Sequence, residues 1–249
     1  MSAATTPLPN AARLYEAIDG TWPAAETRRL GPFLLRRGEG GGQRVSAASA
    51  LGPVTGADID AAEAIMRAMG QPRLFQIREG DGALDAQLEA RGYNVVDPVN
   101  LYVAPVGVLA TDRPPPITTF DVWEPLAIQI DIWAKGGIGP GRIAVMQRVK
   151  GPKTSILGRL NDHPGGTAFA AIHDGVAMVH AVEVPPHQRK QGMGRWIMRV
   201  AAFWAQDAGA RHIAVACTRA NAAANALYAS LGMSLVGQYH YRKHPDDMK

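Results

Sequence analysis

The stretch Val182 to Trp196 reads VEVPPHQRKQGMGRW. It leaves the end of an apolar strand, turns through Pro185 and Pro186, and delivers Arg189, Lys190, Gln191, Gly192, Met193 and Gly194 to the start of an amphipathic helix. Free backbone N–H groups at a helix N-terminus, backed by the positive end of the helix dipole, bind phosphate oxygens, and glycines let a ligand approach the backbone. Arg189, Lys190 and Arg195 add cations around the same loop, which suits a pyrophosphate. Glycine before a helix is also an ordinary flexible connection. Other nucleotide motifs fit less well, because the third glycine of a dinucleotide fingerprint and the Gly-Lys-Ser/Thr ending of a P-loop are both missing.

Working outward, a helix is expected from Met193 to about Ala208, with Trp196, Ile197, Val200, Phe203 and Trp204 on one apolar stripe. A strand at 211–217, a helix at 221–231 stopped by Gly232, and a strand at 233–242 follow. Before the loop lie a helix at 138–149 and strands at 155–160, 168–173 and 176–184, the last two joined by the tight turn Asp174-Gly175. The upstream half reads as strands at 33–37 and 44–51 around the run Gly38 to Gly42, then a helix at 57–69, a strand at 73–78, a helix at 82–91 and a strand at 93–103. Between Ala104 and Thr119 the prolines Pro114, Pro115 and Pro116 favour an extended segment. The boundary falls there and gives two domains, 1–110 and 111–249. Leu84, Leu88, Gly92 and Tyr93 stand opposite Ala224, Tyr228, Gly232 and Met233 in a shared strand, helix, Gly, strand order, so the halves read as an internal duplication.

Composition bounds the alternatives. With 47% hydrophobic and 19% charged residues in 249, and no apolar run near the ~18–20 residues of a membrane span, a folded chain outside the membrane is expected. The lone Cys217 allows no internal disulfide and no cysteine zinc cluster, and no metal is expected. Met1 to Asn10 lacks the pattern of a signal peptide, which makes a reducing cytoplasm the default compartment. The net charge of +4 gathers on the second half, but its basic residues are scattered without an aromatic ladder, which argues against nucleic acid.

These residues resemble the GNAT superfamily of acyl-CoA-dependent N-acyltransferases. The family pattern Arg/Gln-x-x-Gly-x-Gly/Ala appears as Arg189, Gly192 and Gly194 after the approach Val184 to Pro186. A second block, Asn-x-x-Ala-x-x-Leu-Tyr before a glycine, appears as Asn221, Ala224, Leu227, Tyr228 and Gly232. The resemblance covers roughly Pro125 to His244. It implies an α+β fold: a mixed, mostly antiparallel sheet flanked by helices, built as tandem GNAT-like halves, with two strands splayed at the cofactor site. It also implies that the backbone of Val182 and Val184 pairs with the pantetheine arm of acetyl-CoA. Arg189, Lys190, Gln191, Gly192, Met193, Gly194, Arg195 and Asn221 would then hold the rest of the cofactor.

The implied activity is transfer of an acetyl group from acetyl-CoA to an amine acceptor, small molecule or peptide, by direct attack in a ternary complex. A CoA-binding regulatory or scaffolding protein is the rival reading, and a homodimer is compatible with either. Tyr228 would protonate the departing thiolate, although its helical face also suits a core aromatic. Glu183 leads as the base that takes the amine proton, ahead of His180 and His187. Strand alternation puts Glu183 and His180 on opposite faces unless a bulge intervenes. Trp133 and the glycines from Gly136 to Gly141 read either as an adaptable acceptor wall or as a core tryptophan with an irregular turn. In the first half Leu88 and Asp81 replace Tyr228 and Asn221, and Leu51 to Gly56 lacks the glycine pattern, so that half is expected to be silent towards CoA and to build a substrate wall.

Overall fold

The computed structural model describes residues 7–248. Helix α1 (Ala11–Thr21) opens the first half, followed by β1 (Glu26–Leu30), β2 (Phe33–Arg37), β3 (Ala48–Ala50), α2 (Gly56–Ala68), β4 (Leu74–Ile77), α3 (Gly82–Ala90) and β5 (Asn94–Pro105). The short helix α4 (Val106–Leu109) leads through the proline segment to β6 (Thr119–Val122), α5 (Ala127–Lys135), α6 (Pro140–Arg148), β7 (Lys153–Leu160), β8 (His163–His173) and β9 (Val176–Glu183). Helix α7 (Met193–Asp207), β10 (His212–Thr218), α8 (Ala222–Ser230) and β11 (Ser234–Lys243) complete the second half.

All these strands form one open sheet in the order β1-β2-β3-β4-β11-β5-β10-β9-β8-β7-β6. Its pairings are antiparallel except β3 with β4 and β9 with β10, the pairs bridged by the crossover helices α2 and α7. The ends of the two halves keep the same spacing: α3 begins at Gly82 and α8 at Ala222, and β5 begins at Asn94 and β11 at Ser234. The last strand of each half is exchanged. β5 pairs with β10 of the second half, β11 pairs with β4 of the first, and the two lie side by side at the centre.

Helix α1 crosses over as well. Asn10 Oδ1 accepts from the Arg13 amide at 3.0 Å and fixes the helix start. Leu14, Tyr15 and Ile18, at helical spacing, then pack with Val176, Met178 and Ala214 of the second half. Each such fully buried aliphatic side chain contributes about 1.5–3 kcal/mol. On the opposite face α7 supplies Met193, Ile197, Met198 and Ala201 to a core shared with Tyr102, Val215 and Tyr228.

The strand expected at 44–51 is only Ala48–Ala50. Gly42 adopts φ 94°, and the amides of Val45 and Ser46 bond back to the carbonyls of Gly42 and Gln43. Residues 43–45 therefore form a 3-10 turn, because their hydrogen bonds close locally instead of joining a ladder. That turn carries Arg44 towards the second half.

Candidate active site

The site begins where two strands part. β9 and β10 are paired from Val176 and His212 as far as Val179 and Val215, and no further. Beyond that point β9 stays with β8 and β10 stays with β5, so a wedge opens between them. A bulge lies at the apex. Phe169 faces His180 and Thr167 faces Glu183, so β9 carries one residue more than β8, and Ala181 takes φ 51°. The indole of Trp133, fully buried, donates to the Ala181 carbonyl at 2.8 Å. Trp133 is thus a core residue that holds the bulge, and the extra residue brings both His180 and Glu183 onto the wall of one cavity.

That cavity, about 700 Å³, fills the wedge. Val182, Glu183, Val184, Arg189, Lys190, Gly192, Met193, Gly194, Arg195, Asn221 and Tyr228 all line it. Gln191 does not; its amide donates to the His187 carbonyl at 3.3 Å. The loop enters α7 through Lys190 at φ 62° and Gly192 at φ 85°, a left-handed conformation that disfavours a side chain. No side chain caps the first turn of α7, whose leading residues Met193 and Gly194 line the cavity. A Cβ at Gly194 would stand 3.0 Å from Leu227 Cδ2, so this glycine lets α7 and α8 approach each other. Asn221 Oδ1 caps α8 by accepting from the Ala224 amide at 3.1 Å.

Tyr228 is buried, with its ring centroid 5.8 Å from that of Tyr102. Burial, and then the neighbouring Cys217, push its phenol well above the ordinary value, so it is protonated at neutral pH. Burial pushes the Cys217 thiol up to about 11, so it is no thiolate nucleophile. Asn225 fixes this corner: its Oδ1 accepts from Asn100 Nδ2 at 2.7 Å and from the Tyr102 hydroxyl at 3.0 Å, while its Nδ2 donates to the Thr218 and Asn221 carbonyls. Its partners lie on both halves of the chain, which sequence spacing does not reveal.

Glu183 is 18% exposed, and Arg189 Nη2 reaches its Oε1 at 3.3 Å. Burial raises its carboxyl above the ordinary value, and Arg189 pulls the other way. His180 has no free nitrogen. Thr21 Oγ1 donates to the Ala17 carbonyl at 2.6 Å and so accepts from His180 Nε2 at 2.9 Å, which leaves Nδ1 to accept from Arg44 Nη1 at 3.1 Å. Burial and the Arg44 charge hold this imidazole well below its ordinary pKa, in agreement with a neutral ring. His187 is exposed and off the cavity wall. Among the titratable candidates for a base, Glu183 alone combines a free lone pair with a place on the wall. Arg44, from the first half, lines the cavity too, and sequence reading missed it because its contact with His180 spans the two halves and has no local signature.

Residues 131–233 match the model of the Acetyltransferase (GNAT) family. The chain is 24% identical over 232 residues to the uncharacterized N-acetyltransferase YobR of Bacillus subtilis (strain 168), covering 89% of this chain and 94% of that protein. Among solved structures it is similar to a GCN5-related N-acetyltransferase from Kribbella flavida, with TM-score 0.73, 21% identity, and 94% and 95% of the two chains covered. It is also similar to a tandem GNAT protein from the clavulanic acid biosynthesis pathway, with TM-score 0.59, 13% identity, and 97% and 89% covered. Among the described residues no helix is long and apolar enough to cross a membrane.

Proposed function

We infer that this protein is a GNAT-superfamily enzyme that transfers an acetyl group from acetyl-CoA to an amine acceptor by direct attack in a ternary complex. The observation that carries this reading is the wedge between β9 and β10, where one cavity joins an uncapped, glycine-led helix N-terminus, unpaired strand backbone and a protonated buried tyrosine. The loop Arg189 to Arg195 would hold the pyrophosphate, and the backbone of Val182 and Val184 the pantetheine amides. The donor supplies an activated thioester carbonyl.

Glu183, directly or through water, accepts a proton from the acceptor ammonium, since only the neutral amine has a lone pair to attack with. As the C–N bond forms, backbone N–H groups near Val184 stabilise charge on the carbonyl oxygen. As the C–S bond breaks, Tyr228 gives its proton to the sulfur, and the proton that the nitrogen loses on becoming an amide returns, through water, to the tyrosinate. Trp133 and Gly136 keep the bulge and Glu183 in register. The first half contributes its exchanged strand, helix α1 and the turn bearing Arg44, and it has no turnover of its own, since Leu88 is a core residue without a transferable proton.

The test is release of free CoA thiol from acetyl-CoA over a panel of primary amines, with the acetylated product identified by mass. Amine-dependent thiol release is expected. Stoichiometric acetyl-CoA binding with no transfer to any amine would favour a binding protein and overturn the enzymatic reading.

A further inference from the structure

A second cavity, about 310 Å³, meets the first at the bulge, and the two share Arg44, His180, Ala181 and Thr218. A group at this junction is next to the bulge that opens the wedge, where an acceptor amine would have to arrive. The far walls come from both halves: the 3-10 turn with Gln43 and Arg44, the aromatic rings of Trp22, Tyr239 and Tyr241, and Ile138. The polar atoms here are poorly satisfied. Arg44 Nε, Gln43 Oε1 and the Tyr239 hydroxyl are buried without a well-aligned hydrogen-bond partner, and the Arg44 guanidinium lies against the Tyr239 and Tyr241 hydroxyls. These atoms lie behind the wall, out of reach of water, so what the cavity presents to a ligand is the Arg44 charge.

Arg44 is held for that purpose. Its Nη1 is fixed by the chain through His180 and Thr21 to the Ala17 carbonyl, and its guanidinium lies 5.9 Å from the Trp22 ring. No carboxylate of the described residues pairs with it. Arg142 is a second guanidinium on the wall and Asp97 its single carboxylate, so the lining is net cationic. We propose that the acceptor is a small amino-acid-like molecule, whose carboxylate is bound by Arg44, steadied by the adjoining Tyr239 hydroxyl, while its amine faces the bulge. A guanidinium on the wall with no carboxylate partner matches a ligand carboxylate. Polycationic acceptors such as polyamines and aminoglycosides are disfavoured, because they bring positive charge against Arg44 and Arg142 with one acid to meet it. The volume suits one small residue with an apolar side chain against the aromatic wall.

This inference rests on the acyl-transfer reading. It is tested by acetyl-CoA-dependent thiol release with the standard L-amino acids, each compared with the amine made by removing its carboxylate, such as L-phenylalanine with 2-phenylethylamine. The intact protein is expected to favour at least one amino acid over its decarboxylated partner by about 10²-fold or more in kcat/KM. In Arg44→Gln that ratio should collapse towards one. Tyr239→Phe, which deletes the hydroxyl beside Arg44, should shrink it several-fold with little change in melting temperature, so a folding defect in the first variant does not shield the proposal. Equal or better use of the decarboxylated amines, a preference unchanged in either variant, or acetylation of polyamines alone would overturn it and leave the acyl-transfer reading intact. No thiol release with any amine would remove both.

Discussion

Gly136 leaves the space that Glu183 occupies: a Cβ at position 136 would stand 2.6 Å from Glu183 Cδ. The backbone there has φ −83°, a value any residue can adopt, so the glycine is needed for the approach of the carboxylate and not for its own conformation. Gly136→Ala is therefore expected to displace Glu183 and lower kcat by ~10–10²-fold, the cost of a misplacement of about an ångström. Acetyl-CoA affinity should stay within a few-fold. Steady-state kinetics paired with calorimetry checks both, and unchanged turnover would show that Glu183 takes no part in proton removal.

On the proposed mechanism the acid limb of the pH profile is expected to come from Glu183. A base works only when deprotonated, so kcat/KM should fall as pH drops through its pKa, which burial raises above the ordinary 4.5 against the opposing pull of Arg189. Removing the opposing charge in Arg189→Leu should move the limb to higher pH, whatever that variant does to cofactor affinity. A limb that stays in place, or moves down, would assign the ionisation to another group.

Tyr228→Phe is expected to lower turnover by ~10²–10⁴-fold, the contribution of a positioned general acid. The ring still packs against Tyr102, so the melting temperature should barely move. Near wild-type turnover with an acceptor for which chemistry limits the rate would assign the proton to water.

Strand exchange governs what the halves do apart. A fragment of residues 111–249 loses β5, the partner of β10 from His212 to Thr218, and loses α1 from its core. It should aggregate through the bared edge and apolar face. Co-expressed with residues 1–110, it should co-purify as a complex that binds acetyl-CoA. A monomeric 111–249 fragment with full acceptor kinetics would contradict this dependence.

The parts legible in the sequence are those set by local chemistry. The glycine loop, the Asp174-Gly175 turn, with both φ values positive, and the matched helices at 82–90 and 222–230 all stand where spacing put them. Helix α1 escaped that reading although Ala11, Leu14, Tyr15 and Ile18 carry its period; Asn10 is its cap. β1, Glu-Thr-Arg-Arg-Leu, is an exposed edge strand with no buried face to write a pattern. The bulge at Ala181 has no glycine or proline to announce it, being held by an indole from α5. The exchange of β5 and β11 depends on which sheet edges meet, a tertiary choice that periodicity within one segment does not encode, and the same holds for the contact of Arg44 with His180.

The most direct test of the account is a calorimetric titration of acetyl-CoA into the intact chain and into Gly192→Glu. Gly192 faces open space at φ 85°, so a glutamate there would be strained and would set a carboxylate among the phosphate-binding groups. One site per chain is expected in the wild-type protein and affinity weakened by about 10²-fold or more in the variant, the effect of setting like charge against the pyrophosphate. No binding by the wild-type chain, or equal affinity in the two proteins, would contradict the assignment of the wedge between β9 and β10 as the acyl-CoA site.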